Sequence, residues 1–381
     1  MPGHTTPEVA SVHDLSATRS GRAPQKRSTR KVSWDAVRAG CVVLVMIYHA
    51  THMSRVTHPE LTPRLVVFPF QVGASLLLVI SAYFAAATIG RGSLRRYWWK
   101  RMARLVPPFV GAVVLIWLVL RFLRPPSWQE PSGWDLAHHL LMLWNWKPAE
   151  YAFLDGSHWT VPLQLMGFTF AAALFATRWG HGNKIVWVLW AAVLLPLAQW
   201  HLRITAAPET YRMLVDGFGV HRWHLFVAGV AIWMVSTRRL GRVHFAVLLA
   251  SCMAAQALHN YVRLPDGQLD CDWGSTTAVW IGMLVLTSVA CGPDWKLPPA
   301  LARGLTWFAG ISYCVFLTHQ TVGYILLHYL DTNGVPPVLQ TLAMLTTGTL
   351  LGWALTRAVE RPAHDSLLRL YDRLAARRQS G

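Results

Sequence analysis

Trp34 to Ser54, WDAVRAGCVVLVMIYHATHMS, is an apolar run interrupted late by histidines. It is about as long as the ~20 residues a helix needs to cross a ~30 Å hydrocarbon layer. At helical spacing Arg38, Val42, Val45, His49 and His52 share one stripe. Ionisable side chains are costly in hydrocarbon, so that stripe should face a protein interior or a water-filled cavity. A neutral imidazole accepts a hydroxyl proton near neutral pH, which makes His49 the candidate general base. The competing reading is a helix-packing histidine bonded to a neighbouring carbonyl.

A second constellation is RGSLRRYWWKRMARLVPP, Arg91 to Pro108. Arg101 and Arg104 lie three apart, on one helical face, and run straight into an apolar segment. Guanidinium forks suit phosphate oxygens, so this pair is placed to hold a phosphorylated ligand at the mouth of a bundle. Trp159 and Gln164 in SHWTVPLQLMGF, and Tyr313 and His319 in ISYCVFLTHQ, put further polar groups into apolar spans. With Arg38 and His52 they are the candidate substrate contacts. Glu360, between Arg357 and Arg361, reads as a salt-bridged helix end.

These residues need a scaffold, and composition says which kind. The chain is 53% hydrophobic but only 14% charged, where soluble domains carry about 25%. That contrast, with twenty tryptophans suited to the membrane interface, points to an all-α polytopic membrane bundle. The net charge of +17 does not indicate nucleic acid, because the basic residues sit between apolar spans instead of on one face. Five scattered cysteines form neither a disulfide framework nor a metal-ligand spacing, so no metal is expected. GxSxG, P-loop, GxGxxG and HExxH motifs are absent from the sequence.

Residues 1–33 read as a disordered basic cytoplasmic tail, without the apolar core of a signal peptide. Ten apolar segments follow, approximately 35–54, 66–89, 105–122, 159–177, 184–201, 222–237, 243–259, 276–292, 306–329 and 338–357. They define a transmembrane domain over 34–362, with a basic cytoplasmic tail at 363–381. The stretch 138–146 is too short to span and should lie along the interface. With both termini cytoplasmic, the inner segments hold 26 Lys and Arg against 7 Asp and Glu, and the outer ones 9 against 11. The positive-inside rule selects that topology.

Taken together, these segments resemble the membrane acyltransferase 3 family over about residues 33–366. WDAVRAG…YHA resembles its opening D-x-x-R…H segment, RRYWWKRMARLVPP its R-x-x-R-L-x-P motif, and HLFVAGVAIW its Phe-x-x-Gly span. VGASLLLVISAYFAAA resembles the second span, with Ser81-Ala82-Tyr83 where Ser-Gly-Phe is usual; ISYCVFLTHQ and AVERPA resemble the closing pair. The resemblance implies an O-acyltransferase of the cell membrane, moving an acyl group, most commonly acetyl, from acyl-CoA to a hydroxyl of a sugar or small secondary metabolite. It matches His49 to the proposed catalytic histidine, and Arg101 and Arg104 to the donor-binding motif. Acyl-CoA is then a co-substrate, with no permanently bound cofactor, and membrane lipid is the other partner. Where the family often reads W-S-L-x-V-E, this chain has W-T-V-P-L-Q, so Gln164 stands at the acidic position and His49 looks more isolated. The alternative class is an exporter of an anionic small molecule, with the arginines as a selectivity ring.

Overall fold

The computed structural model describes residues 31–148, 150–151, 153–204, 208–264 and 268–377. The basic N-terminal tail lies, up to residue 30, outside the described residues. Helices dominate the rest. In chain order they are α1 (Val32–Tyr48), α2 (Ser54–Thr57), α3 (Gly73–Ile89), α4 (Leu94–Leu123), α5 (Gly133–Leu140), α6 (Thr160–Phe175), α7 (Lys184–Ile204), α8 (Glu209–Gly217), α9 (Trp223–Ser236) and α10 (Arg242–His259). A hairpin of β1 (Tyr261–Arg263) and β2 (Leu269–Cys271), in antiparallel register Tyr261 to Cys271, precedes α11 (Trp273–Cys291). The chain closes with α12 (Pro299–Thr318), α13 (Gln320–Thr332), α14 (Pro337–Leu355) and α15 (Arg361–Arg377).

Local chemistry sets several of these boundaries. Ser93 caps α4 by accepting from the Arg96 N–H, and Ser132 with Asp135 forms a capping box at α5. Asp272 caps α11 through the Ser275 N–H, and proline occupies the first helical position of α12 and α14. At the start of α1, both the Val32 and Ser33 N–H groups donate to the Asp294 carboxylate at 2.9 Å.

Five helical stretches are long and apolar enough to cross a membrane: Val32–Thr57, Leu94–Leu123, Trp273–Cys291, Pro299–Thr318 and Pro337–Arg377. A sixth results if Glu209–Gly217 and Val220–Ser236, bent by 47°, count as one span. The protein is thus an α-helical membrane protein. Every one of the ten apolar segments contains a helix, but 306–329 is not one unbroken helix. It breaks at His319 between α12 and α13. The C-terminal stretch is helical as well, because α14 runs through a wide π turn, Thr356–Glu360, into the amphipathic α15.

The core has two principal parts. One gathers α3, α7, α9, α10 and α11 around Leu78, Val79, Ile232 and Met283; the other gathers α4, α12 and α13 around Phe109, Ile116 and Leu317. α3 and α9 pack closely because Gly229 lets the backbones meet: a Cβ there would run into the Val79 carbonyl. Gly348 of α14 does the same beside the helix break, where a Cβ would lie 2.9 Å from both His319 Cβ and Met46 Cε.

Candidate active site

α1 widens at His49–Met53 into a single π turn before α2 continues it. π turns are rare and frequent at functional sites. Hydroxyls hold this one: Thr51 Oγ1 donates to the Ile47 carbonyl at 2.8 Å and Ser54 Oγ to Ala50 at 3.0 Å. The turn aims His49 into the bundle, where it is 8% exposed and does not face lipid.

Its partner is His319. His49 Nδ1 and His319 Nε2 are 2.8 Å apart, and the rings stack with centroids 4.9 Å apart at 6°. The next link fixes the protons. His319 Nδ1 lies 2.9 Å from the Phe316 carbonyl and 3.2 Å from Val315, both of which can only accept. His319 therefore carries its proton on Nδ1 and offers the Nε2 lone pair to the His49 Nδ1–H. That leaves the second nitrogen of His49, Nε2, as the unprotonated base. Gln164 in place of the family's acid left His49 more isolated; the structure gives it an oriented partner 270 residues away.

The break at His319 supplies the acceptors. Carbonyls of Val315, Phe316 and Leu317 would normally bond the N–H groups four residues on. Instead Ser157 Oγ lies 3.1 Å from the Phe316 carbonyl, and the His158 Nε2–H donates to Leu317 at 2.8 Å. On the far side of the break, the Thr321 N–H donates to Asp155 at 3.0 Å. Asp155, 1% exposed, also accepts from the Ser157 N–H at 2.8 Å and Ser157 Oγ at 2.5 Å. Interrupted backbone is tolerated at membrane depth only where protein satisfies the freed groups, and here side chains of one loop do so.

A second histidine pair secures that loop. The Leu154 N–H donates to His139 Nδ1 at 3.2 Å, and the His139 Nε2–H donates to His158 Nδ1 at 2.8 Å. Both rings are fully buried, and burial first, then the neighbouring His158, pushes the His139 pKa down to about 2. Sequence reasoning took 138–146 as interfacial and left Asp155, His139 and His158 unread. The signal available was DGSHW, where Asp and Ser two residues apart invite a local side-chain turn.

The cavity touching His49 is about 10 Å³, room for one water, lined also by Tyr48, Gln71, Ser157 and Trp159. Trp159 is held by Arg222, whose guanidinium lies 3.9 Å from the ring centroid. Arg101 and Arg104 do not line this cavity. Arg101 Nη2 donates to the Phe84 carbonyl at 2.8 Å and to Thr88 Oγ1 at 2.9 Å, and its guanidinium lies 4.8 Å from the Phe168 ring. Arg38 stands over the Phe84 ring at 5.4 Å, so Arg38 and Arg101 flank one residue. Gly73 abuts Cys41 and Val45 of α1, so α3 places Phe84 roughly 25 Å from His49 along the bundle by helical rise.

Arg104 pairs with Glu360 at 3.6 Å, while Glu360 also accepts from Cys314 Sγ and Thr356 Oγ1, each at 3.2 Å. The partner of Glu360 is thus across the bundle, not beside it at Arg357 or Arg361. Gln164 accepts from Ser81 Oγ at 3.0 Å, a tie between α6 and α3. Tyr313 donates to the Leu105 carbonyl at 2.9 Å, and the His52 ring lies tilted at 39° beside Tyr48, with centroids 5.5 Å apart. The structure therefore brings together His49, His319 and Trp159, and separately Arg38 and Arg101. Among the described residues no three His, Cys, Asp or Glu side chains converge as metal ligands.

A helical membrane protein with a tautomer-fixed histidine pair at a break in its bundle has the makings of a group-transfer enzyme. Residues 31–357 match the family model described as an acyltransferase domain, and the chain belongs to this acyltransferase 3 family. No curated protein and no solved structure matches the chain.

Proposed function

We propose that this acyltransferase is an integral cell-membrane enzyme moving an acyl group, most simply acetyl, from acyl-CoA to a hydroxyl of a sugar or small metabolite. In this reading ten segments cross the membrane, with both termini cytoplasmic on the basic side. The observation that carries the proposal is the His49–His319 pair within an acyltransferase-family chain.

The acceptor hydroxyl gives its proton to His49 Nε2 as its oxygen attacks the thioester carbonyl carbon. The tetrahedral intermediate collapses, the C–S bond breaks, and the leaving thiolate takes that proton from His49. The products are the ester and free CoA, with no net change in protons. His319 holds the imidazole in the required tautomer throughout, since it accepts the Nδ1–H of His49 and is itself anchored to the Phe316 carbonyl.

Arg104, and Arg101 with Arg38 beside it, engage the donor phosphates near the inner surface. Their separation from His49 suits an elongated donor, with charge at one end and thioester at the other. Because the space at His49 holds one water, the acceptor must displace Trp159 or Tyr48 to enter. Purified protein incubated with labelled acetyl-CoA and a panel of glycosyl and polyketide hydroxyls tests this reading. Ester-linked label supports it, and label remaining wholly in acetyl-CoA and acetate overturns it.

A further inference from the structure

A cavity of about 850 Å³ lies between α3, α6, α7 and α9, apart from the His49 site. It exists because α6 and α7, though consecutive, barely touch one another. Its walls are apolar, with Ala171, Phe226 and Val230 among them. Its polar lining, Thr177, His181, Asn183 and Arg239, is gathered at one end, where α6 and α9 stop and α7 begins.

Shape and chemistry restrict the occupant. From Leu163 to Phe175 the cavity follows α6 for about 18 Å by helical rise, so it is long as well as apolar. An extended peptide would bury backbone groups against walls that offer no hydrogen bonds. Protein interiors are close-packed, so an apolar space this large does not stay empty, and the filler a bilayer supplies is hydrocarbon. At the polar end Arg239 is exposed, with its guanidinium 4.7 Å from the Trp233 ring centroid. Among the described residues no carboxylate bonds it. That cation favours a negative headgroup.

We propose that this cavity holds a hydrocarbon chain of an anionic membrane phospholipid, with the headgroup at Arg239. The assignment needs the cavity to lie at membrane depth with Arg239 at the basic face, but it is independent of the catalytic reading.

The test uses the full chain reconstituted with equimolar dioleoyl-phosphatidylcholine and dioleoyl-phosphatidylglycerol, released into mild detergent and weighed intact by native mass spectrometry. One retained phosphatidylglycerol is expected. Arg239→Gln, at an exposed position, should lower its occupancy about fivefold, the equivalent of about 1 kcal/mol for one basic side chain near an anionic headgroup. Ala171→Trp, which fills the cavity, should remove it while circular dichroism stays unchanged. Equal retention of the two lipids, or wild-type occupancy in Arg239→Gln, overturns the proposal. So does one-for-one displacement by palmitoyl-CoA, which would give the cavity to a long-chain donor. Failure of acyl transfer with the lipid retained would count against the enzyme reading alone.

Discussion

Replacing His319 by phenylalanine keeps a flat ring between α12 and α13 but removes the acceptor for His49. The two imidazoles are neutral in the assigned network, and their contact is one 2.8 Å hydrogen bond in a buried site. Leaving a buried donor unsatisfied costs about 1–3 kcal/mol, and the freed imidazole can then carry its proton on the wrong nitrogen. At about 1.4 kcal/mol per decade, His319→Phe should lower kcat roughly 5- to 150-fold. The KM for acyl-CoA should hardly change, because His319 touches no donor group. His319→Gln is the companion variant. Its amide oxygen can accept from the His49 Nδ1–H while its NH2 donates toward Phe316, so most of the lost kcat should return. The assay is initial-rate transfer of labelled acetyl from acetyl-CoA by protein in nanodiscs, with insertion checked by circular dichroism. Full kcat in folded His319→Phe would refute the relay. Equal loss in both variants would assign His319 a packing role instead.

Other outcomes follow from the same geometry. Asp155→Ala removes the acceptor for Thr321 N–H, Ser157 N–H and Ser157 Oγ, so a denaturant titration in detergent should show a loss of about 2–3 kcal/mol. His139 has a folded pKa of about 2 against an ordinary value of 6.5, so the unfolded chain binds the extra proton between these limits. Its stabilising contribution is complete above pH 6.5 and is lost as pH falls, by about 2 kcal/mol at pH 5. His139→Gln should flatten that slope in thermal melts between pH 7.5 and 5, and an unchanged slope would contradict the neutral pair. Arg104→Ala should raise the KM for acyl-CoA about tenfold or more, on the scale of charge-assisted hydrogen bonds, with kcat less affected. A KM equal to wild type would remove Arg104 from donor binding.

Much of this architecture is written in local chemistry. The apolar runs mark the helices, since hydrocarbon admits only internally bonded backbone. The Pro residues at 299 and 337 and the Ser and Asp caps mark their starts. His49, Arg101 and Arg104 stand out because ionisable groups are rare in such segments. The pairings were not legible. His319 joins His49 only through the fold, and the helix break that aims it lies inside an unbroken apolar stretch, without Gly or Pro at 315–320. The π turn at His49–Met53 likewise leaves no residue signature. Ser157 and His158 reach carbonyls, and Asp155 an N–H, about 160 residues away, a relation that neither period nor motif expresses. The resemblance implied one site built from His49 and both arginines. The structure shows a water-sized cavity at His49 and a separate basic cluster around Phe84.

The most direct measurement compares wild type with His49→Ala, both purified and shown to be folded, in transfer of labelled acetyl from acetyl-CoA to a hydroxyl acceptor. Loss of a general base should lower the rate by about two to four decades while the KM for acetyl-CoA stays near wild type. An undiminished rate in His49→Ala would contradict the account at its centre.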